Sequence, residues 1–421
     1  MAVATGGGTS LIERFAALSD PRQTAKVLYP LPEILLLLLC ATLAGADDFV
    51  EAEVWGERNL TFLRRFLPFT HGIPSHDTLG DVVALLDPGL FKDCFAAWVA
   101  GLRATAPELA GPEVIALDGK TARRSHARAK GREPLHLLAA WACGRRLVLG
   151  QEAVADKSNE ITAIPALLAR LELAGALVTI DAIGTQRAVA ETIRARGGDY
   201  LLALKGNRPL THAEVAAFFA APPPPEAPVR THQTVDGEHG RIEVRRHAVC
   251  HDVDWLFSDR RYPDAPAFPG LAMIGMVESQ TERDGKVRRE RRYYLGSAKL
   301  DAATFARAVR AHWGIENRLH WMLDVVFRDD LARLRTGHGP ENMAVVKHMA
   351  LNLLNQAKPT TGLKNRRKLA GWSTGYLDQL LRGTAQRIHP IALVVAGRRA
   401  RAARSASDSV TGSEQVPARQ T

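Results

Sequence analysis

Three acidic residues in this chain stand where regular structure would hold a carboxylate still, and they bound its possible chemistry. Asp118 follows the apolar run VIAL in EVIALDGK, which begins at Glu113. A buried strand of that kind ends on Asp118 and holds its side chain rigidly. Asp181 closes a second apolar run in ALVTIDAIGTQ from Ala176, and Glu316 lies in the helical stretch HWGIENRLHWMLD from His312. Brought together, three carboxylates would offer hard oxygen ligands to Mg²⁺, an ion that keeps several waters and needs only a few such groups. Taken singly, each acid has a structural alternative. Asp118-Gly119 can be a hairpin turn, Asp181 can cap the helix that begins near Thr185, and Glu316 can sit on a solvated helix face.

The elements that must carry these residues change period along the chain. Residues 11–107 read as helices: Pro32 opens one that ends at Gly45, and a second runs from Asp47 to about Leu67. In GIPSHDTLGDVVALLD, Ser75 N-caps a short helix that stops before Asp87-Pro88, and a further helix reaches about Arg103. Such short helices suit a helix-turn-helix unit with the residues after Ser75 facing a DNA groove; the alternative is a plain helical cap. From Glu113, strands over 113–119, 135–143 and 146–154 make an antiparallel meander, and helices over 160–173 and 185–196 then alternate with strands over 176–181 and 200–204.

Three strands followed by helix, strand, helix, strand is the order of a ribonuclease-H-like mixed sheet. There the first and fourth strands lie side by side, which would make Asp118 and Asp181 neighbours. After the proline tract 222–225, residues 229–296 alternate as two hairpins with Asp-Gly turns, read as a β insertion. Helices resume from Asp301 through Glu316 to about Phe327, and again over 340–357 and 374–382. The expected fold is therefore α/β: an N-terminal all-helical domain over 11–107, a ribonuclease-H-like domain over 112–357 with a β-strand insertion at about 222–296, and C-terminal helices over 358–397. Residues 1–10 and the basic, then Ser/Thr-rich stretch 398–421 are expected to be disordered.

Bulk properties narrow the partners. With 421 residues and 46% hydrophobic content the chain can bury a large core. Its 55 Lys and Arg against 45 Asp and Glu leave a net charge of +10, which favours a polyanionic partner. The four cysteines, Cys40, Cys94, Cys143 and Cys250, include no Cys-x-x-Cys pair, which excludes a disulfide framework and suits a reducing, cytoplasmic compartment. No signal-peptide pattern opens the chain, and the apolar run Ile34 to Ala46 is too short to span a bilayer, so no membrane partner is expected. His247, Cys250 and His251 supply too few ligands for a zinc site.

The motifs DPRQTAKVLYPLPEILLLLLCATLAGADDFVEAEVWGE, ALDGKTARRS, TIDAIGTQ and HWGIENRLHWMLDVVFRDD, in this order and over nearly the whole chain, resemble bacterial insertion-sequence transposases of the DDE type, in the group of H-repeat-associated proteins. The resemblance puts Asp118, Asp181 and Glu316 at the three acidic positions, 63 residues (118 to 181) and 135 residues (181 to 316) apart. It implies an enzyme with two Mg²⁺ ions, replaceable by Mn²⁺, roughly 3.5 to 4 Å apart. Asp118 would bridge them, with Asp181 on one and Glu316 on the other. The implied reaction is phosphodiester hydrolysis at the element's ends and transfer of the freed 3′ hydroxyl into target DNA. A structure-specific nuclease of the same fold and a decayed DNA-binding copy are the alternatives.

The implied partners are double-stranded DNA, as terminal inverted repeats and as target, and a second copy of the chain in a homodimer or higher oligomer. Bound to DNA, the protein would be nucleoid-associated. Relatives outside the group carry Tyr, Arg and Lys around the glutamate, where this chain has Val309, His312 and Leu323. Candidate DNA contacts are Lys120, Arg123, Arg124, Lys205, Arg208, Arg241, His312, Arg318, His320, Arg366 and Arg367, the source of salt-dependent backbone binding.

Overall fold

The computed structural model describes residues 10–126, 133–154, 160–238, 241–258, 268–283, 286–357 and 361–382. The expected disorder over 1–9 and 398–421, and the end of the C-terminal extension from 383, lie outside the described residues, as does the side chain of Arg241.

Capping chemistry sets out the N-terminal helices α1 (Leu11–Ala16), α2 (Leu31–Ala44), α3 (Phe49–Arg58), α4 (Leu60–Leu63), α5 (His76–Leu85) and α6 (Pro88–Ala104). The Ser75 hydroxyl accepts from the Thr78 N–H, and the Asp87 carboxylate accepts from the Leu90 N–H ahead of Pro88. Gly45 ends α2 at φ 115°, where a side chain would be strained. The expected single helix from Asp47 is two, because Asn59 leaves helical geometry at φ −117°, ψ 18° and its amide donates to the Trp55 carbonyl.

Nine strands then form one sheet: β1 (Val114–Thr121), β2 (His136–Ala142), β3 (Leu147–Val154), β4 (Leu177–Ile180), β5 (Asp199–Leu204), β6 (Arg230–Glu238), β7 (Arg241–Cys250), β8 (Met273–Arg283) and β9 (Lys286–Gly296). Their order is β3-β2-β1-β4-β5-β9-β8-β7-β6. Strands β1–β3 pair antiparallel, while β4 pairs parallel with both β1 and β5, the mixed ribonuclease-H-like sheet that the strand order predicts. The β insertion packs by extending the main sheet. Strand β9 pairs with β5, from Leu201 opposite Gly296 to Leu204 opposite Tyr293, so the sheet simply continues through it. Asp236-Gly237 lies inside β6, opposite Glu243 and Ile242, rather than at the turn; β8 and β9 do pair out to either side of Asp284-Gly285.

The remaining helices are α7 (Glu160–Ala169), α8 (Arg187–Ala195), α9 (Pro209–Ala220), α10 (Trp255–Ser258), α11 (Ala302–His312), α12 (Trp321–Val325), α13 (Gly339–Gln356), α14 (Leu363–Trp372) and α15 (Thr374–Arg382). Helix α2 is apolar on every side and buried, with Leu35 through Cys40 at 1% exposure or less, as an all-round apolar helix must be. It packs against α13 and α14, and α13 in turn covers β3, α5 and α6. Polar side chains lock these contacts. Asn352 of α13 donates to the Val148 carbonyl and accepts from the Val148 N–H on edge strand β3, both at 2.8 Å. Asn342 donates to the Val83 and Leu86 carbonyls at the end of α5. Arg367 of α14 donates to the Thr42 and Ala46 carbonyls, which closes the C-terminus of α2.

One buried core thus runs from the N-terminal helices into the sheet. A fragment that begins at residue 111 would expose the faces of α13 and α14 that α2 covers. It is expected to aggregate or to lose a cooperative melting transition. Cooperative melting of that fragment at the full chain's temperature would show instead that the N-terminal helices fold apart from the rest.

Candidate active site

Parallel pairing of β1 with β4 builds the floor of the site. Leu117 stands opposite Ile180, so the next residues, Asp118 and Asp181, leave adjacent strands side by side. The two differ in setting. Asp118 lies inside β1, opposite Ala139 of β2, because the strand runs to Thr121 instead of ending at the acid. Asp181 does come at a strand end, where its carboxylate accepts from the Ile183 N–H at 3.1 Å and caps a short 3₁₀ turn over Ala182–Gly184. The capping and functional readings of Asp181 are therefore compatible.

Glu316 comes from the far end of the chain. The expected continuous helix through it is interrupted after His312, and Glu316–His320 forms one π-helical turn between α11 and α12. Such wide turns are frequent at functional positions. It aligns Glu316 with His320, four residues on. His320 Nδ1 lies 3.5 Å from Asp118 Oδ2 and 3.5 Å from Glu316 Oε2. One ligand atom from each of Asp118, Glu316 and His320 falls within 4.8 Å of the others; Asp181 stands outside this trio. Sequence reading assigned His320 to DNA. The signal for its other position was the Glu-x-x-x-His spacing, which puts both side chains on one helix face.

Electrostatics mark the site as short of positive charge. Burial, then the Glu316 charge and a hydrogen bond shared with it, and then Asp181 push the Asp118 carboxyl up to about 8 against the Gly119 N–H. Burial also raises Asp181, opposed by the N–H groups of Gly184 and Ile183 and by Lys205. Burial holds the His320 imidazole down at about 4, with Lys120 adding to the effect and Glu316 opposing it. Two crowded carboxylates and a neutral imidazole fit a divalent cation, which would relieve the repulsion between the acids.

Behind the site lies a half-buried ion-pair cluster. Lys120 Nζ is 2.6 Å from Asp324, 3.3 Å from Asp329 and 3.5 Å from Asp330, and Lys347 Nζ is 2.7 Å from Asp329. Burial works to raise the Asp329 carboxyl, but Lys347 and Lys120 hold it down at about 2. Lys120 is therefore an internal counter-ion whose ammonium is already engaged. His312 is also committed inward: its Nδ1 meets the Thr179 hydroxyl at 2.9 Å, and burial holds the imidazole down at about 4. Arg208 donates to the Thr185 carbonyl and the Gln186 amide oxygen. Arg366 and Arg367 are buried, with donors spent on the carbonyls of α13 and α2 respectively. Arg123, Arg124, Lys205 and Arg318 are exposed. On α5 the exposed face carries Asp77 and Asp81, and His76 is paired with Glu53 at 2.7 Å.

A ribonuclease-H-like sheet with one acid inside β1, a second just past the end of the adjacent β4 and a third on a later helical turn is the architecture of a DDE transposase. Residues 109–353 match the family model of the transposase DDE domain and residues 12–99 match that of the DDE_Tnp_1-associated segment, and the chain belongs to this family. Within it the chain falls with the H-repeat-associated proteins. It is 36% identical over 379 residues to "H repeat-associated putative transposase YhhI" of Escherichia coli K12, covering 89% of this chain and 98% of that one. It is 44% identical over 288 residues to the uncharacterized protein in the dhlA 3′ region of Xanthobacter autotrophicus, 68% of this chain and 94% of that one. A cryo-EM structure of piggyBac transposase in a synaptic complex with hairpin DNA is similar at a TM-score of 0.37 and 10% identity, over 97% of this chain and 84% of that one. DDE domains use divalent metal ions, and the donor set described above fits one. Among the described residues no helix is long and apolar enough to cross a membrane.

Two measurements check these electrostatics. The folded chain keeps a proton on Asp118 to about pH 8, whereas an unfolded aspartate releases it near pH ~4, so stability is lost as pH rises across that interval. Without metal, Asp118→Asn is expected to flatten this fall and to raise stability at pH 8 by on the order of a few kcal/mol. Parallel wild-type and variant profiles between pH 5 and pH 8 would contradict the assignment. Asp329→Asn, which removes the acid paired with the buried Lys347 ammonium and one of the three acids around Lys120, is expected to cost roughly 3–5 kcal/mol in denaturant unfolding; a cost below about 1 kcal/mol would place this cluster among exposed pairs.

Proposed function

We propose that the protein cuts the phosphodiester bonds at the ends of its own insertion element and joins the freed 3′ hydroxyls to target DNA, with Asp118, Asp181 and Glu316 as the metal-holding acids. What supports this reading is that strand register sets Asp118 and Asp181 on adjacent strands, while the π turn brings Glu316 and His320 against Asp118.

The chemistry needs no protein nucleophile. In the first step a water oxygen bonds to phosphorus as the bond to the 3′ oxygen breaks, which leaves a 3′ hydroxyl on the element. In the second that hydroxyl attacks a target phosphodiester, and one P–O bond replaces another. Two divalent ions in such a site supply a nucleophile at neutral pH and stabilise the leaving oxygen. Asp118 is central, beside both other acids, and its raised proton affinity makes it the group from which a proton leaves when the site loads.

Double-stranded DNA would meet the exposed cations Arg123, Arg124, Lys205 and Arg318, which lie on the segments bearing or flanking the acids. Lys205 also acts electrostatically on Asp181, which supports a phosphate position near that acid. Further along β9, Arg292 covers the Trp313 ring at 4.9 Å, an amphipathic ledge three residues before Glu316 in sequence. Contacts of this kind position the duplex without reading its sequence. A second copy of the chain would be needed to hold two element ends together.

The test is a paired assay on an end-containing duplex and a target plasmid. Asp181→Asn is expected to bind the duplex as wild type does and to lose both nicking and joining by about 10²-fold or more. For Glu316, the Asp variant should recover part of its cleavage in Mn²⁺ while the Gln variant should not, since one keeps the charge and the other loses it. Nicking without joining by the wild type would assign a nuclease, and DNA binding with neither would assign a non-catalytic copy. Near wild-type cleavage by Glu316→Gln in Mg²⁺ would remove Glu316 from the site.

A further inference from the structure

His320 differs from the three acids in kind, and its surroundings are those of a ligand. Its ring is buried, and Nδ1 faces Asp118 Oδ2 and Glu316 Oε2 at 3.5 Å each. That separation is long for a hydrogen bond to either oxygen. It is close to the roughly 3 Å that separates neighbouring ligands of one octahedral ion with bonds near 2.1 Å.

The opposite ring nitrogen carries independent information. His320 Nε2 is buried and has no hydrogen-bond partner among the described residues. A small cavity beside the ring, with room for about one water molecule, is lined by the polar side chains of Lys120, His320, Asp329, Lys347 and His348 and otherwise by alanine and leucine. An imidazole bound to metal through Nδ1 carries its proton on Nε2, and that proton is ordinarily held by a water, a carbonyl or a carboxylate. A water in this cavity would accept it and pass a hydrogen bond to Asp329, the acid in the cavity wall. The ion-pair cluster behind the site thus supplies the outer support that a metal-bound histidine needs.

We propose that His320 Nδ1 is a direct metal ligand alongside Asp118 and Glu316, so that one metal position has a mixed nitrogen and oxygen donor set and prefers a transition-metal ion such as Mn²⁺ to Mg²⁺. This rests on the three-acid reading and extends it. Magnesium favours oxygen donors throughout, and an imidazole nitrogen shifts the balance towards the first-row divalent ions. The histidine would also fix the direction of the Glu316 carboxylate, which is otherwise half-exposed at 54%.

Pulsed electron paramagnetic resonance on the full chain, stripped of metal and loaded with Mn²⁺, reads this without any turnover. The expected spectrum shows ¹⁴N coupling from a directly bound imidazole. It should vanish in His320→Gln and persist in His348→Gln, which removes the other imidazole at the cavity. Mn²⁺ affinity in His320→Gln should drop by about tenfold or more, and the preference for Mn²⁺ over Mg²⁺ should shrink with it. Wild-type protein that binds Mn²⁺ through Asp118 and Glu316 but shows no nitrogen coupling would overturn the histidine ligand and leave the three acids standing. Coupling that survives in His320→Gln would also overturn it. Mn²⁺ binding that survives unchanged in both Asp118→Asn and Glu316→Gln would bring down the three-acid reading itself. The wild-type spectrum decides the matter even if a variant fails to fold.

Discussion

Like charges held together in a partly buried site are the constraint around which this molecule is arranged. Two acids on adjacent strands, with a third brought against the first, repel one another and lose solvation. The chain answers by letting Asp118 keep a proton to about pH 8, a state that a bound cation would replace. Such a site cannot be held by flexible loops, since the acids would separate. A parallel strand pair, a capped 3₁₀ turn and a π turn hold it instead, and each places one acid.

That rigidity is sustained from behind. Lys120 lies two residues beyond Asp118 on the same strand, so both side chains leave the same face of the sheet. Its ammonium draws in Asp324, Asp329 and Asp330 from the segment that follows Glu316, and Lys347 of α13 completes the cluster. Pairing at this depth is a weak source of net stability. Its effect is positional: the strand with the first acid and the helix with the third are tied to the same ions. Helix α13 in turn rests on α2, and through these contacts the N-terminal helices support the acid-bearing face of the sheet.

The basic residues divide along the same line. A cation count taken from sequence treats Lys120, Arg366 and Arg367 like Arg123 and Lys205. In the folded chain the first is a counter-ion, and the two arginines close helix ends, where a guanidinium can satisfy several orphan carbonyls at once. Fewer of these cations are free at the surface than the overall charge suggests.

By itself the sequence determined the order of elements, and with it the strand arrangement that makes Asp118 and Asp181 neighbours, since apolar runs, caps and breakers are local signals. It also carried the motif order on which family membership rests. What it left open were matters of distance in space. Asp118 lies inside its strand because β2 continues the pairing to Thr121, and the two hairpins extend the main sheet because β5 otherwise ends it with an unpaired edge. Neither pairing has a local signature. His320 became part of the acid cluster through a widened helical turn, and the arginines of α14 became structural because α2 ended beneath them. Periodicity records which face of an element is buried; only the packed structure decides which residues from distant elements share the space beneath it.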